Sequence, residues 1–523
     1  MADVPDTQTV LILHAAKTPY ETLEGYQVPE IRDESEVLVR TETIGLNPID
    51  WKAPDFNFAI PSLPYISGRE LVGRVVRRSP SSKSRLQNGD QVNHTPHSLL
   101  PLHEEEQELI RASSAKVLVI STDYRDLRKA AYQQYVVTAD FNAVRIPPSV
   151  SPQAGATLGV AFVAAALSLG ICMGVDFSHV LGGPDLLSLV RTTIPAESLP
   201  QDIRGECLSG IRDDSERAVA GDWVAVWGGS STSANLAVQL ARLAGLRVVT
   251  VVDKLRHGLR LANHKTLRPD LLVDSHDPAR AVDIIRANVG GDLRFALDTS
   301  GRESATWLLR ALSKEDASVD APPSPPDTPR RAGPSRRHLI GLTGLPKEQA
   351  PEGVAYHTVP IKVFHEVPAV GEALSLWLER LLESGLVSPP EVLGVESGFE
   401  GINRGLDRMR RGEIRGGRMV VSLEPETTGT EFARDPAAPP ALVDSPLGSA
   451  AEQAQSTGSS SPEFTAAEPE RRGSATLWQA STAADAVPRS FPDGGLSSSD
   501  AAPVPSAGLL WQPNGITVER SLS

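Results

Sequence analysis

Small residues fill the turn between an apolar run and a helix-like run, and a turn of this kind can bind a phosphate. The run Trp223–Trp227 is apolar without alternation, which is typical of a strand covered on both faces. The sequence that follows is rich in Ala and Leu and predicts a helix. Small side chains leave the first helical amides, and the positive end of the helix dipole, open to a diphosphate. We therefore predict cofactor ligands at Gly228, Gly229, Ser230, Ser231, Thr232 and Ser233.

A carboxylate about 20 residues beyond such a turn is placed to bind the ribose hydroxyls of a dinucleotide. Asp253 ends the next strand pattern and has this spacing. A carboxylate there repels a 2′-phosphate and favours NADH. Lys254, Arg256 and His257 follow directly and could bind that phosphate instead, which favours NADPH. The strict G-x-G-x-x-G pattern is absent, so a plain strand–helix–strand unit without a ligand remains an alternative.

Composition excludes several classes of protein. The chain has 523 residues, too many for one compact core, and a net charge of −14, which argues against a nucleic-acid surface or a polybasic membrane anchor. Its two cysteines, Cys172 and Cys207, cannot form a disulfide framework or a four-cysteine zinc lobe. The first residues lack the basic start of a signal peptide, so we expect a cytoplasmic protein. The apolar stretch 156–175 predicts a buried core helix rather than a membrane span.

Two kinds of pattern must position the candidate residues. Up to about residue 151 the chain shows short strand patterns separated by turns, whereas strand and helix patterns alternate over 152–365. This alternation predicts an α/β fold with a doubly wound parallel sheet. An amphipathic helix at 370–385 and a short strand at 416–423 follow.

Three segments break these patterns. A charged stretch at 95–130 predicts an insertion in the first part, and the Pro-rich stretch 318–337 predicts a loop within the alternating part. The sequence from 424 to 523 is rich in Ser, Ala, Pro and Gly and poor in periodic apolar residues, so we predict a disordered tail. Composition does not indicate what the first insertion or the tail does.

Several motifs occur in an order that resembles the medium-chain dehydrogenase/reductase superfamily. The resemblance covers about residues 8–423 and is closest to the zinc-free quinone-oxidoreductase and fungal trans-enoyl-reductase branch. The motifs are GLNPIDWK (45–52), GRELVGRVV (68–76), NGDQV (88–92), AAYQQYVV (130–137), AGATLGVAFVAAALSLG (154–170), the small-residue turn (228–234), ALDTSG (296–301) and RRGEIRGGRMVV (410–421).

This resemblance implies a GroES-like β-rich catalytic domain, built from 1–151 and a return at 366–423, and a Rossmann domain over 152–365. It implies NADPH as the cofactor, held in the cleft between the domains, with Asp298 and Arg418 as further cofactor residues. A small-molecule substrate, a homodimer and a polyketide synthase served in trans are also implied by the family.

Zinc-dependent members of the superfamily carry Cys and His where this chain has Asn47 and Arg69. Neither Asn nor Arg is a usual zinc ligand, so we predict chemistry without zinc. His94, His97 and His103 cluster in sequence but lack a partner cysteine, and we expect them to be surface residues.

The reaction implied is addition of hydride to an activated C=C bond or a quinone, which creates negative charge on an oxygen. A donor or cation must stabilise that oxygen, and a proton must follow. The candidates are Lys52, which follows the NPIDW residues, Asn47 as a donor to the carbonyl, and Tyr65; a solvated lysine and a packing tyrosine are the alternatives. Ala164 stands where the branch tends to carry Thr. A catalytically weak dinucleotide-binding protein with a regulatory or interaction role is therefore the competing function.

Overall fold

The computed structural model describes residues 4–82, 84–86, 116–313 and 336–423. The predicted tail at 424–523 lies outside these residues, as do the histidines at 94, 97 and 103 and most of the two predicted insertions. The strands are β1 (Thr7–Leu13), β2 (Glu21–Gln27), β3 (Glu36–Gly45), β4 (Tyr65–Ile66), β5 (Glu70–Arg78), β6 (Lys116–Ile120), β7 (Tyr135–Ala139), β8 (Ala143–Ile146), β9 (Trp223–Trp227), β10 (Arg247–Val252), β11 (Leu271–Asp274), β12 (Leu293–Asp298), β13 (Arg337–Gly341), β14 (Val354–Thr358), β15 (Val392–Ser397) and β16 (Arg418–Ser422).

Helices occupy most of the connections between these strands. They are α1 (Pro48–Phe56), α2 (Pro152–Gly155), α3 (Gly159–Leu167), α4 (Leu186–Thr193), α5 (Gln201–Ser209), α6 (Thr232–Leu243), α7 (Lys254–Asn263), α8 (Pro278–Val289), α9 (Arg302–Leu312), α10 (Val363–Glu366), α11 (Pro368–Glu383) and α12 (Gly398–Arg410). A π-helical turn, Ser168–Cys172, continues α3.

The β-rich part contains two sheets. One has the order β2-β1-β4, and the other has the order β15-β16-β3-β5-β6-β8, with β7 also paired to β3. Strand β3 is long and almost wholly buried, and it pairs antiparallel with β5, β7 and β16. Pairing of β3 with β16 brings the end of the described chain next to the loop that begins at Leu46.

The second part is a parallel sheet with the order β11-β10-β9-β12-β13-β14. All neighbouring pairs are parallel, and helices pack on the sheet. Numbered from β9, the order is 3-2-1-4-5-6, which is that of a Rossmann fold. The chain reverses direction across the sheet between β9 and β12, and ligands of such sheets bind at the carboxyl ends of the strands there. The predicted α/β fold class is confirmed.

The apolar stretch that sequence placed in the core is buried as predicted. Within the described ranges, the helical segment Pro152–Cys172 is the one long and apolar enough to cross a membrane, and 94% of its most apolar stretch is buried inside the protein. It packs in a core shared by α6, α11 and the parallel sheet.

Two predicted boundaries were wrong. Strand β6 lies within the predicted insertion at 95–130, yet it pairs with β5 and β8 and is part of the seven-stranded sheet. The predicted Pro-rich loop includes Arg337, which is instead the first residue of β13. In both places a short apolar run adjoins charged sequence, so the strand has too few residues to show a period.

Candidate functional site

A cavity of about 400 Å³ lies at the carboxyl ends of the parallel strands, between the small-residue turn and the segment that precedes β16. The sheet side of the cavity is formed by the turn after β9 and by the end of β10. Pro48 and residues 414–418 form the facing wall. Of the predicted cofactor residues, those that line it are Gly228, Ser230, Ser231, Thr232, Asp253, Arg256 and Arg418, whereas Gly229, Ser233, Lys254 and Asp298 do not.

Both glycines of the turn are required by close packing. Gly228 has a φ of +82°, and a Cβ there would lie 2.3 Å from the Ser300 Oγ and 2.5 Å from the Thr299 Oγ1. Gly229 is buried, and a Cβ there would lie 2.0 Å from the Thr250 Cγ2. The turn can therefore approach the neighbouring strands only because neither residue has a side chain.

The start of α6 has backbone amides without a hydrogen-bond partner among the described residues. The Ser231 Oγ accepts a hydrogen bond from the Ala234 amide at 3.1 Å, and the Asn235 amide donates to the Ser231 carbonyl at 2.9 Å. Among the described residues, no hydrogen bond engages the amides of Thr232 and Ser233. Free amides at the positive end of a helix dipole favour a phosphate.

Asp298 does not line the cavity, and its carboxyl instead holds the loop that follows β12. It is fully buried, and its Oδ1 accepts hydrogen bonds from the Ser300 amide at 3.1 Å and the Gly301 amide at 2.7 Å. Burial raises the pKa of this carboxyl to about 6. The residues that contact the glycine turn are Thr299 and Ser300, which follow Asp298. Thr299 bonds to Ser231 at 2.9 Å, and Ser300 lines the cavity. The sequence signal for them was their place directly after ALD in ALDTSG.

Asp253 has a structural role that the spacing argument did not include. It is the N-cap of α7, and its Oδ1 accepts a hydrogen bond from the Arg256 amide at 3.0 Å. Its Oδ2 lies 3.9 Å from the His276 Nε2, and Asp274 raises the pKa of His276 most strongly, with Asp253 adding to the effect. The carboxylate of Asp253 is therefore partly neutralised by contacts within the protein.

Positive groups gather at the same end of the cavity. Arg256 and Arg415 are exposed and line it, as does His257, which is buried. Burial lowers the pKa of His257, and nearby Arg260, Arg256 and Arg415 lower it further. Arg415 and Ser275 were not among the predicted residues. Arg415 lies within the 410–421 motif, but its position beside the end of β10 depends on how the two sheets meet.

Asn47, Glu70 and Arg418 form a buried network. The Glu70 Oε1 accepts hydrogen bonds from the Asn47 Nδ2 at 2.9 Å and the Arg418 Nη2 at 2.8 Å, and its Oε2 accepts one from the Val160 amide at 3.0 Å. The Arg418 Nη1 donates to the Asn47 Oδ1 at 2.7 Å and to the Leu46 carbonyl at 2.9 Å.

These contacts correct two expectations. Asn47 does not offer its amide to a substrate carbonyl, because its Nδ2 donates to Glu70 and, at 3.4 Å, to the Gly45 carbonyl, while its Oδ1 accepts from Arg418. Arg418 borders the cavity, but it is 3% exposed and its guanidinium points into the network, so it is not available to cofactor phosphates. The network joins β3, β5, α3 and β16 below the site.

Tyr65 lies in a second buried cluster, with Asp50 and Arg69. Tyr65 is 2% exposed, and burial raises the pKa of its phenol while Arg69 opposes the rise. Arg69 lies over the ring of Tyr124, 5.3 Å from its centroid. The Asp50 Oδ2 accepts a hydrogen bond from the Asn47 amide at 2.8 Å and so closes the first turn of α1. The expectation that Tyr65 reaches the cleft is therefore not supported.

Stability is expected to fall as pH rises through the titration of Asp50. Burial raises the pKa of Asp50 from 3.8 to about 6, although Arg69 opposes this. Between these values the unfolded chain has lost the proton that the folded protein keeps, so deprotonation disfavours the folded state. Relative to Asp50→Asn, the free energy of unfolding of the wild type should drop by about 2 kcal/mol from pH 4 to pH 6. Urea unfolding at several pH values measures this, and parallel curves for the two proteins would contradict it.

Lys52 itself does not line the cavity, but it lies on α1 close to a residue that does. It lies one helical turn beyond Pro48 on α1, so the two residues share a face, and Pro48 lines the cavity. The Nζ lies 5.6 Å from the centroid of the Trp51 ring. Burial lowers the pKa of Lys52, and no carboxylate pairs with it among the described residues.

Comparison with known proteins adds independent information on the β-rich part. Residues 33–148 match the family model described as alcohol dehydrogenase GroES-like domain. The chain is 25% identical over 401 residues to the trans-enoyl reductase eqxC of Fusarium heterosporum, an alignment that covers 76% of this chain and 93% of that protein. It is 24% identical over 426 residues to the trans-enoyl reductase caaB of Aspergillus niger, covering 80% and 98%.

A solved structure shares the whole arrangement of sheets. The putative NADPH:quinone reductase from Bacillus thuringiensis superposes with a TM-score of 0.53 at 16% sequence identity, over 80% of this chain and 99% of that one. At this level of identity the match establishes the fold, and the chemistry must be argued from the residues present.

Proposed function

Because this chain belongs to the medium-chain dehydrogenase/reductase superfamily, we propose that it is a zinc-independent reductase that uses NADPH to reduce an activated C=C bond, as in an enoyl or enone substrate. The observation that carries this proposal is the cavity at the carboxyl ends of the parallel strands, with a glycine turn and open helix amides at one end. When bound, the reduced dinucleotide supplies the hydride.

The residues present fit a dinucleotide. The diphosphate would be held by the amides of Thr232 and Ser233 and the hydroxyl groups of the turn, because Gly228 and Gly229 leave no Cβ in the way. Ser300 borders the same space. The adenosine end would lie toward Asp253, at the end of β10.

The charges at the adenosine end favour NADPH over NADH. One Asp253 oxygen caps α7, and His276 lies near the other, so the carboxylate repels a 2′-phosphate less than a free one would. Arg256 and Arg415 line the cavity, and the guanidinium of Arg256 has no partner among the described residues. Guanidinium groups bind phosphate with strong, charge-assisted hydrogen bonds.

We expect the protein to bind NADPH more tightly than NADH, and Arg256→Ala to weaken NADPH binding by about 10- to 100-fold, the value of a charge-assisted hydrogen bond, with little change for NADH. Fluorescence titration with both coenzymes measures this. Lys254→Ala is the matched control, since Lys254 is an exposed neighbour that does not line the cavity. Equal affinity of the wild type for NADH and NADPH would contradict the choice of cofactor.

The two residues at the expected zinc-ligand positions argue for chemistry without zinc. Asn47 and Arg69 occupy the positions of two zinc ligands in zinc-dependent relatives, and Arg69 is packed over Tyr124 while Asn47 is held by Glu70 and Arg418. A guanidinium and a fully engaged amide cannot ligate the ion. Charge on the substrate oxygen must then be stabilised by a protein group.

Lys52 is the group best placed to stabilise that oxygen. Of the three candidates from sequence, Asn47 and Tyr65 are held in buried clusters, which leaves the half-buried ammonium of Lys52 on the face of α1 that borders the cavity. A cation in a partly desolvated site stabilises developing negative charge more than the same cation in water.

Lys52→Met is expected to lower kcat for an enone or enoyl thioester by about 100-fold, as loss of a single oxyanion donor does. The Kd for NADPH should stay within about 2-fold, since Lys52 is not proposed to touch the cofactor phosphates. Lys52→Arg, which keeps the charge, should recover part of the rate. Steady-state kinetics and the same fluorescence titration measure both quantities, and an unchanged kcat in Lys52→Met would remove this role.

The second candidate function is a dinucleotide-binding protein with little catalysis. The closed Asn47 network and the buried Tyr65 favour it, because they remove two of the three predicted catalytic groups from the cavity. NADPH oxidation with a panel of enones, enoyl thioesters and quinones separates the two. Clear NADPH binding without turnover of any substrate would support this second function.

The family also suggests how a substrate arrives. The two relatives described above are trans-enoyl reductases by name, so we propose that an acyl chain carried by a separate polyketide synthase is the natural substrate class. A homodimer is proposed on the same family grounds.

A further inference from the structure

Cys172, Glu206 and His357 meet in the interior of the protein, away from the cavity described above. Cys172 is in the π-helical turn after α3, Glu206 is on α5, and His357 is on β14. One donor atom from each lies within 4.8 Å of the others. None of the three lines the cofactor cavity.

The ring of His357 is fixed on both sides. Its Nδ1 lies 2.6 Å from the Glu206 Oε1, and its Nε2 lies 2.9 Å from the Nδ1 of His338. His338 in turn stacks on Phe295, with ring centroids 5.2 Å apart and planes within 15°. His357 and Cys172 are both buried, whereas the Glu206 side chain is 13% exposed and provides a route to solvent.

A thiol, a carboxyl and an imidazole seldom converge in an apolar core without a partner that uses all three. The Glu206 carboxyl hydrogen-bonds to His357 and also to the thiol of Cys172, so all three groups already meet at one point. We propose that Cys172 Sγ, Glu206 Oε and His357 Nδ1 bind a divalent transition metal ion, with Zn²⁺ as the best match. Thiolate, imidazole and carboxylate together are the ligand types that Zn²⁺ accepts.

The geometry needs only a small adjustment. Zinc bonds of about 2.0 to 2.3 Å in a tetrahedral site place ligand atoms about 3.5 Å apart. Glu206 and His357 must therefore separate by about 1 Å from their hydrogen-bonded positions. Each bound ion displaces two protons to solvent, the thiol proton of Cys172 and the proton shared by the Glu206 Oε1 and the His357 Nδ1. The imidazole stays neutral with its N–H on Nε2, where the His338 Nδ1 accepts it, and this outer contact is typical of metal-bound histidine.

The fourth position would be filled by water on the solvent side of Glu206. Since a metal ion here joins the turn after α3, helix α5 and edge strand β14, its role is structural. This site is separate from the positions of Asn47 and Arg69, so it leaves the proposed hydride chemistry independent of zinc. It also stands whether or not the proposed function is correct.

Cobalt titration of the full chain, after removal of metal with a chelator, tests the site. Co²⁺ replaces Zn²⁺, and a bound thiolate produces a charge-transfer band in the near ultraviolet. We expect one Co²⁺ per chain with this band in the wild type, no such band in Cys172→Ser, and at least 10-fold weaker binding in His357→Gln. Cys207→Ser is the matched control, since Cys207 is a buried neighbour outside the cluster, and it should keep the band.

A measurement on the wild type alone covers the case in which the variants fail to fold. X-ray absorption of the zinc-loaded protein should show one sulfur at about 2.3 Å and nitrogen or oxygen at about 2.0 Å. Absence of a cobalt band in the wild type, a band that persists in Cys172→Ser or is lost in Cys207→Ser, or an absorption spectrum without sulfur would each overturn the proposal.

Discussion

Replacing Arg418 by methionine is expected to lower the free energy of unfolding by about 3 to 5 kcal/mol, the usual cost of breaking a buried ion pair from one side. Arg418 and Glu70 are 4% and 0% exposed, and their charged atoms are 2.8 Å apart. Without the guanidinium, the Glu70 carboxylate stays buried with only Asn47 and the Val160 amide as partners. Urea unfolding followed by tryptophan fluorescence measures the loss.

Arg411→Met provides the matched control. Arg411 belongs to the same short segment and pairs with Glu413 at 2.7 Å, but its side chain is 60% exposed. An exposed pair of this kind contributes at most about 1 kcal/mol. The double variant Glu70→Gln with Arg418→Met should recover part of the loss, since it removes the buried charge left by the single change.

The same variant decides between two roles for Arg418. If Arg418 held cofactor phosphates, Arg418→Met would weaken NADPH binding while the unfolding free energy stayed near that of Arg411→Met. We expect instead that Arg418→Met lowers the unfolding free energy much more than it weakens NADPH binding. The reason is that the guanidinium already bonds to Glu70, Asn47 and Leu46.

Gly228→Ala is expected to raise the Kd for NADPH by about 100-fold or more, which corresponds to roughly 2.7 kcal/mol. A Cβ at this position would lie 2.3 Å from the Ser300 Oγ and 2.5 Å from the Thr299 Oγ1, so both hydroxyl groups must move. That movement breaks the hydrogen bond between Thr299 and Ser231 and displaces the hydroxyl that caps α6. The positive φ adds about 1 to 2 kcal/mol of strain in the folded state.

Gly221→Ala is the control that separates the effect of backbone strain on stability from the effect on NADPH binding at the glycine turn. Gly221 precedes β9, just as Gly228 follows it, and has a φ of +91°, but a Cβ there would meet nothing within 4 Å. It should lose about the same stability from strain and keep its affinity for NADPH. If Gly228→Ala bound NADPH as tightly as Gly221→Ala does, the turn would not be the phosphate site.

Much of the fold followed from periods and turn chemistry that act over short distances. The apolar run of β9, the glycine turn and the start of α6 are specified by neighbouring residues, so the sequence predicted them closely. Strand β6 was not predicted, because its five residues adjoin charged sequence and pair with β5 and β8 from distant parts of the chain.

The candidate site likewise contains residues that local spacing predicted and residues whose orientation only the tertiary structure showed. Sequence identified the turn at 228–233 and Asp253 because their spacing along the chain reflects one strand–helix–strand unit. It placed Asn47 and Arg418 in the cleft by their positions in family motifs and offered Tyr65 as a further candidate, but sequence does not state which way a side chain points. The structure turned all three inward, toward Glu70 or Asp50.

By itself, the sequence determined the α/β class, the small-residue turn at 228–233, and the carboxylate and basic side chains that lie together at the end of β10. Tertiary structure alone decided which charges are free, because a charge becomes available or engaged only when segments distant in sequence are packed together. Glu70 and Arg418 are 348 residues apart along the chain, and their contact in the core leaves Lys52 as the candidate cation for the substrate oxygen.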